Sequence, residues 1–171
     1  MPVEEYLSAG RTVFLGAAEK DEVLRELAAL IAGDLPGSDT DSILKGILDR
    51  ESIVSTKVAE GIAIPHMRIP DSGAAAAALG ISREGVPFVP DDPEPVHIIV
   101  MIASSEDLHL EVLSLFAKRL SSGELYRALL EAPTPEEAYR IITETGVPAK
   151  PDRPADTETS LRILESAFAL A

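Results

Sequence analysis

Apolar positions recur along this chain with two different periods. Val23, Leu24, Leu27, Leu30 and Ile31 fall at helical spacing after a short β-branched and aromatic run from Thr12 to Leu15, which predicts a strand followed by an amphipathic helix over 19–31. Turn chemistry at 34–39 then introduces a second buried stripe, Ile43, Leu44, Ile47 and Leu48, on a helix ending near Arg50. From Ile53 to Arg68 β-branched residues mix with Gly61 and Pro65, the pattern of short strands joined by tight turns. The alanine-rich run 74–81 has intrinsic helix preference. Its length and its flanking by Gly73 and 83–85 fit a buried strand, which is the assignment taken. Val96 to Ala103 is a continuous apolar run broken only by His97 and reads as the central strand.

Past residues 104–107, Leu108, Val112, Leu115, Phe116 and Leu120 trace another helix, with Lys118 and Arg119 suited to its C-terminal end. Two more helices are expected over 124–130 and 135–143, the second opened by Thr134-Pro135-Glu136-Glu137. Strands alternating with helices predict an α/β fold, a mixed β-sheet flanked by helices in an α/β/α layered single domain around one core. Prolines at 148, 151 and 154 end the domain. The expected division is therefore a domain over 1–147 and, over 148–171, a Pro-rich linker plus a short helix carrying Leu161, Leu164 and Phe168 on one face. A helix that short needs a surface to pack on, in this domain or in a second copy, so a homo-oligomer formed through it is possible.

Composition narrows the function. The 171 residues carry 29 acidic against 15 basic side chains, a formal charge of -14, which repels nucleic acid and anionic membrane. Cysteine is absent, so a disulfide framework and a thiolate metal site are excluded and a reducing compartment is expected. No basic, apolar leader opens the chain and no apolar stretch reaches the roughly 20 residues of a membrane span, so a soluble cytoplasmic protein is expected.

Without cysteine, nucleophilic chemistry near neutral pH falls first on His66, His97 or His109. His97 lies within the apolar run and reads as a core or strand-edge residue. His66 follows Ile64-Pro65, where proline holds the chain extended and presents the ring at a strand terminus within reach of a ligand. His109 falls in the first turn of its helix, where free backbone N–H groups favour an anion, although Glu106 and Asp107 compete for those donors. The three histidines have no i, i+4 spacing, so a metal site is not expected.

Three segments stand out together: Arg50-Glu51-Ser52-Ile53-Val54-Ser55-Thr56, then Gly61-Ile62-Ala63-Ile64-Pro65-His66, then His109-Leu110 opening a helix. Over roughly residues 10–146 the chain resembles the type-2 enzyme IIA domains of the bacterial phosphotransferase system, the fructose/mannitol and nitrogen-regulatory class. The resemblance implies a phosphohistidine at His66, with His109 as the second active-site histidine, Arg50 as the nearby cation, and Thr56 and Ser55 close by as phosphate-binding or supporting residues. Arg50 also reads, without the resemblance, as a helix-terminal cation. No cofactor is implied. Met67 departs from the pattern, standing where many relatives have a small residue, which bears on local packing and partner preference.

The implied activity is that of a protein-histidine phosphotransferase, accepting phosphate from an HPr-like phosphocarrier protein and passing it to an enzyme IIB domain. The alternative is a nitrogen-type regulator, whose phosphorylation state selects a regulated target protein such as a transporter or kinase. The sequence shows no fused IIB or membrane segment, which leans toward regulation. A protein donor also fits the charge, since a strongly acidic surface disfavours small anions in bulk solution.

Overall fold

The computed structural model of the chain describes residues 2–70 and 73–144. Two 3-10 turns, Val3–Glu5 and Ala9–Arg11, precede β1 (Thr12–Phe14), α1 (Lys20–Ala32) and α2 (Thr40–Ile53). Then come β2 (Lys57–Ala59), β3 (Ile62–Ala63), β4 (His66–Ile69), β5 (Ala75–Val86) and β6 (Val96–Ser105), followed by α3 (His109–Leu120), α4 (Gly123–Glu131) and α5 (Pro135–Glu144).

The elements expected over the described residues are present, with two extensions. α2 begins at an Asp39 cap, whose carboxylate accepts from the Ser42 N–H at 2.8 Å, and runs to Ile53 because no breaker intervenes, so Arg50 lies within its last turn. β5 runs to Val86, its pairing interrupted after Ile81 and resumed where Val86 meets Val96. The expected tail over 148–171, and with it the boundary at 147, lies outside the described residues.

The sheet is mixed and ordered β1-β5-β6-β3-β2, with β4 also paired to β6. β5 runs antiparallel to β6, while β3 and β4 run parallel to it, β3 against Ile98 and Ile99 and β4 against Ile102 to Ser105. Since β5 takes one edge of β6 along its length, β3 and β4 share the other as one strand interrupted at Ile64-Pro65.

The single core expected from composition is divided by the sheet into two apolar layers. Alternate residues of β6 explain this: Ile98, Val100 and Ile102 join Val112, Leu113 and Phe116 of α3, whereas Ile99, Met101 and Ala103 join α1 and α2. The alanine run is a strand because it pairs with β6 residue by residue and is buried on both faces, tertiary context overriding helix propensity. Among the described residues no helix is long and apolar enough to cross a membrane.

Candidate functional site

The interruption between β3 and β4 creates the site. Pro65 has no N–H to donate, and its carbonyl accepts from the Ile102 N–H at 2.9 Å. Ile64, turned off the ladder, sends its N–H to the Thr56 carbonyl at 3.0 Å and offers its own carbonyl to Nδ1 of His66 at 2.8 Å. A carbonyl oxygen only accepts, so Nδ1 of His66 carries the proton and the lone pair of the neutral ring is on Nε2.

Register sets the direction of the ring. His66 pairs with Ile102, whose side chain faces α3, so His66 faces α3 as well. There it meets His109, the first residue of α3, with ring centroids 5.5 Å apart and planes tilted by 54°. Nδ1 of His109 lies 2.8 Å from Oγ of Ser104, itself on the α3-facing side of β6. Arg50 arrives from the end of α2 and its charge acts on both imidazoles. Its Nη1 donates to the Val54 carbonyl at 3.0 Å, so it also serves as the helix-terminal cation expected from sequence.

One expectation is corrected. His66 is not an accessible ring at a strand's end; it is 4% exposed, because it faces the α3 layer instead of solvent. The structure nonetheless brings it beside His109 and within the field of Arg50. Among the described residues, the buried side-chain N and O atoms without a hydrogen-bond partner are Nε2 of His66 and Nε of Arg50. One of these orphaned atoms is a lone pair and the other belongs to a cation whose charge acts on that same ring, chemistry suited to a group that is itself an anion and an electrophile.

The electrostatics keep both rings neutral. Burial lowers the His66 pKa to about 4, with Arg50 and His109 adding to the effect while the Ile64 carbonyl and Glu51 oppose it. Burial likewise lowers His109 to about 4, reinforced by Arg68 and Arg50. The acids expected to compete at the start of α3 are engaged elsewhere: Asp107 accepts from the Ser105 hydroxyl at 2.6 Å, and Glu106 pairs with Arg68 at 3.2 Å.

Ser55 and Thr56 occupy different places. The Ser55 hydroxyl accepts from the Lys57 N–H at 3.1 Å and shapes the turn into β2. Thr56 is buried, and both its hydroxyl and its N–H donate to the carboxylate of Glu51. Glu51 is the site neighbour to which the sequence alone attaches no role. The available signal was its place four residues beyond Ile47 on the buried stripe of α2, where an acid is out of pattern. The same carboxylate accepts from Nζ of Lys20 at 3.0 Å, and that ammonium also reaches the Phe88 carbonyl at 2.9 Å.

His97 stays apart. It is half-buried, five residues along β6 from Ile102, a distance of about 17 Å. Its Nδ1–H is held by the Ser82 carbonyl at 2.8 Å. Met67, on the opposite face to His66, packs against Gly46 of α2, where an added Cβ would run into the methionine methyl. The larger residue after the histidine is matched by the smallest one on the facing helix. Among the described residues no group of three or more His, Asp or Glu is placed to hold a metal ion.

Among the described residues, the exposed large hydrophobic side chains are Ile53, Val54 and Leu110. Ile53 shares the last turn of α2 with Arg50, Val54 caps that helix, and Leu110 follows His109, so the exposed apolar residues neighbour the site residues in the chain.

Comparison with known proteins agrees with this geometry. The family model described as phosphoenolpyruvate-dependent sugar phosphotransferase system, EIIA 2, matches residues 6–145. The fructose-specific EIIABC component of Bacillus subtilis is 37% identical over 131 residues, 74% of this chain but only 20% of that protein. A nitrogen regulatory protein of Pseudomonas aeruginosa is 32% identical over 147 residues, covering 83% of this chain and 95% of the relative. Among solved structures, nitrogen regulatory protein IIA-Ntr from Neisseria meningitidis superposes with a TM-score of 0.74 at 28% identity, covering 82% of this chain and 99% of that one.

Proposed function

Because the chain belongs to the EIIA 2 family of the phosphoenolpyruvate-dependent sugar phosphotransferase system, we propose that it carries a phosphoryl group on Nε2 of His66, in the cytoplasm. The observation supporting this most directly is the buried, unpartnered Nε2 lone pair, fixed by the Nδ1–H bond to Ile64, set beside His109 and within the field of Arg50. The carrier unit is residues 1–147.

In this reading the donor is a phosphohistidine on an HPr-like carrier protein. The Nε2 lone pair attacks phosphorus, the P–N bond to the donor ring breaks, and the donor imidazole leaves with the electron pair. His66 becomes a cationic N-phosphoryl imidazole whose Nδ1–H still rests on the Ile64 carbonyl, which stabilises the charge. Arg50 and His109 serve the equatorial oxygens, and the incoming negative charge favours a protonated, donating His109. A neutral ring with a pKa near 4 is a ready nucleophile at cytoplasmic pH. Ser55 and Thr56 support the loop instead of touching the phosphoryl group, since Thr56 donates its hydroxyl to Glu51.

Reaching a fully buried Nε2 requires the side chains over it to give way, and the exposed apolar residues Ile53, Val54 and Leu110 provide the surface on which a docking protein does this. The onward acceptor is an enzyme IIB domain. The match to nearly the full length of a nitrogen regulatory protein favours a second output, in which the phosphorylation state of His66 governs binding to a regulated target. A chase separates the two: labelled phosphate loaded from a phosphorylated carrier passes to a IIB domain if this is a transfer component, and stays on the protein if it is a regulator. Failure to load at all contradicts both.

A further inference from the structure

We propose that Glu51 is a positioning residue for the nucleophile: anchored by Lys20, its carboxylate holds Thr56 so that the backbone chain Thr56–Ile64–His66 keeps the His66 proton on Nδ1 and the lone pair on Nε2. The proposal rests on the reading of His66 as the phosphoryl acceptor and names what holds that atom ready.

The chain of contacts is continuous. Nζ of Lys20 donates to Oε1 of Glu51 at 3.0 Å, and Glu51 accepts from the Thr56 N–H at 3.0 Å and from the Thr56 hydroxyl. The Thr56 carbonyl accepts from the Ile64 N–H at 3.0 Å, and the Ile64 carbonyl accepts from Nδ1 of His66 at 2.8 Å. Each peptide in the chain therefore donates on one side and accepts on the other, so fixing Thr56 fixes Ile64, and fixing Ile64 fixes the ring. Lys20 is held in turn by the Phe88 carbonyl and lies over the Phe88 ring, 4.3 Å from its centroid.

Energetics argue that the acid is there for these donors. Glu51 sits on the stripe of α2 begun by Ile43 and Ile47 and is 8% exposed. An apolar side chain would pack there without desolvating a charge. What only a carboxylate supplies is two oxygens that between them accept the ammonium, the peptide N–H and the hydroxyl. Thr56 closes the arrangement, being buried to 1% exposure with both its donors directed at Glu51. Free imidazole in water favours the tautomer protonated at Nε2, the wrong one for attack, so a device that enforces the other has work to do.

His97 provides an internal control, because its Nδ1–H is fixed by the Ser82 carbonyl through no member of this chain. The test is the ring 15N shifts of His66 and His97 at neutral pH in wild type, Glu51→Gln, Thr56→Val and Thr56→Ser, with phosphoryl uptake from a phosphorylated carrier measured alongside. Glu51→Gln is isosteric yet turns an NH2 toward donors, and Thr56→Val removes one donor without touching the charge. The expected result is a single Nδ1-protonated tautomer of His66 in wild type and Thr56→Ser, and a mixture in Glu51→Gln and Thr56→Val. Uptake should fall by about tenfold or more in those two variants, with His97 unchanged throughout. An unaltered His66 tautomer in both Glu51→Gln and Thr56→Val overturns the proposal. If wild type takes up no phosphate, the reading of His66 as acceptor falls, while the tautomer shifts still judge the role of Glu51.

Discussion

At the scale of single residues the site is a contest between burial and reactivity. Burial lowers both imidazoles to a pKa of about 4, which leaves them neutral and makes Nε2 of His66 available. His66→Ala should abolish phosphate uptake, whereas His109→Ala should leave the fold intact and slow transfer by about tenfold to a hundredfold, as read by single-turnover kinetics. The same burial has a cost in acid. Between about pH 6.5 and about pH 4 an unfolded histidine binds a proton that the folded ring refuses, so the unfolded state holds more protons and stability falls as pH falls through that window. Each ring contributes a slope of up to about 1.4 kcal/mol per pH unit. Urea unfolding at several pH values should show a shallower dependence for His66→Gln than for wild type. The histidine pair was legible in the sequence through the resemblance to type-2 enzyme IIA domains, since neither Ile64-Pro65-His66 nor a helix-opening His109 singles it out alone. The burial of His66 was not, since it depends on which face of β4 meets α3, a matter of long-range register.

At the scale of elements, the interruption at Ile64-Pro65 is what frees a peptide to hold the ring, and proline predicted it. The helices were read from their stripes to within a few residues, and the alanine run was the ambiguous element because its strand identity comes from pairing with β6. Glu51 was visible as an acid on an apolar stripe, but its partner Lys20 lies 31 residues away and no spacing announces it. The contact of Gly46 with Met67 was equally hidden and makes its own prediction. Gly46→Ala gains about 1 kcal/mol of helix propensity and displaces only the flexible end of Met67, so its net effect should stay within about 1 kcal/mol of wild type. Adding Met67→Ala relieves the clash, so chemical denaturation of the two single variants and the double should show a favourable coupling between the positions.

For the whole molecule, two helical layers on a mixed sheet bring the charge of Arg50 at the end of α2 to bear on His109 at the start of α3, and each helix end also carries an exposed apolar side chain. The chain carries a formal charge of -14, so under the proposed function an acidic protein docks its carrier through these apolar residues. Leu110→Asp or Ile53→Asp should leave stability within about 0.5 kcal/mol. Either should raise the concentration of phosphorylated carrier needed for half-maximal uptake by about tenfold, with little change in the rate at saturation. The most direct test of the central claim is intact-mass measurement of wild type and His66→Ala after incubation with a phosphorylated HPr-like carrier. Wild type should gain one PO3H unit that is lost in acid and never appears on His66→Ala. An unmodified wild type, an acid-stable adduct, or the same gain on His66→Ala would contradict it.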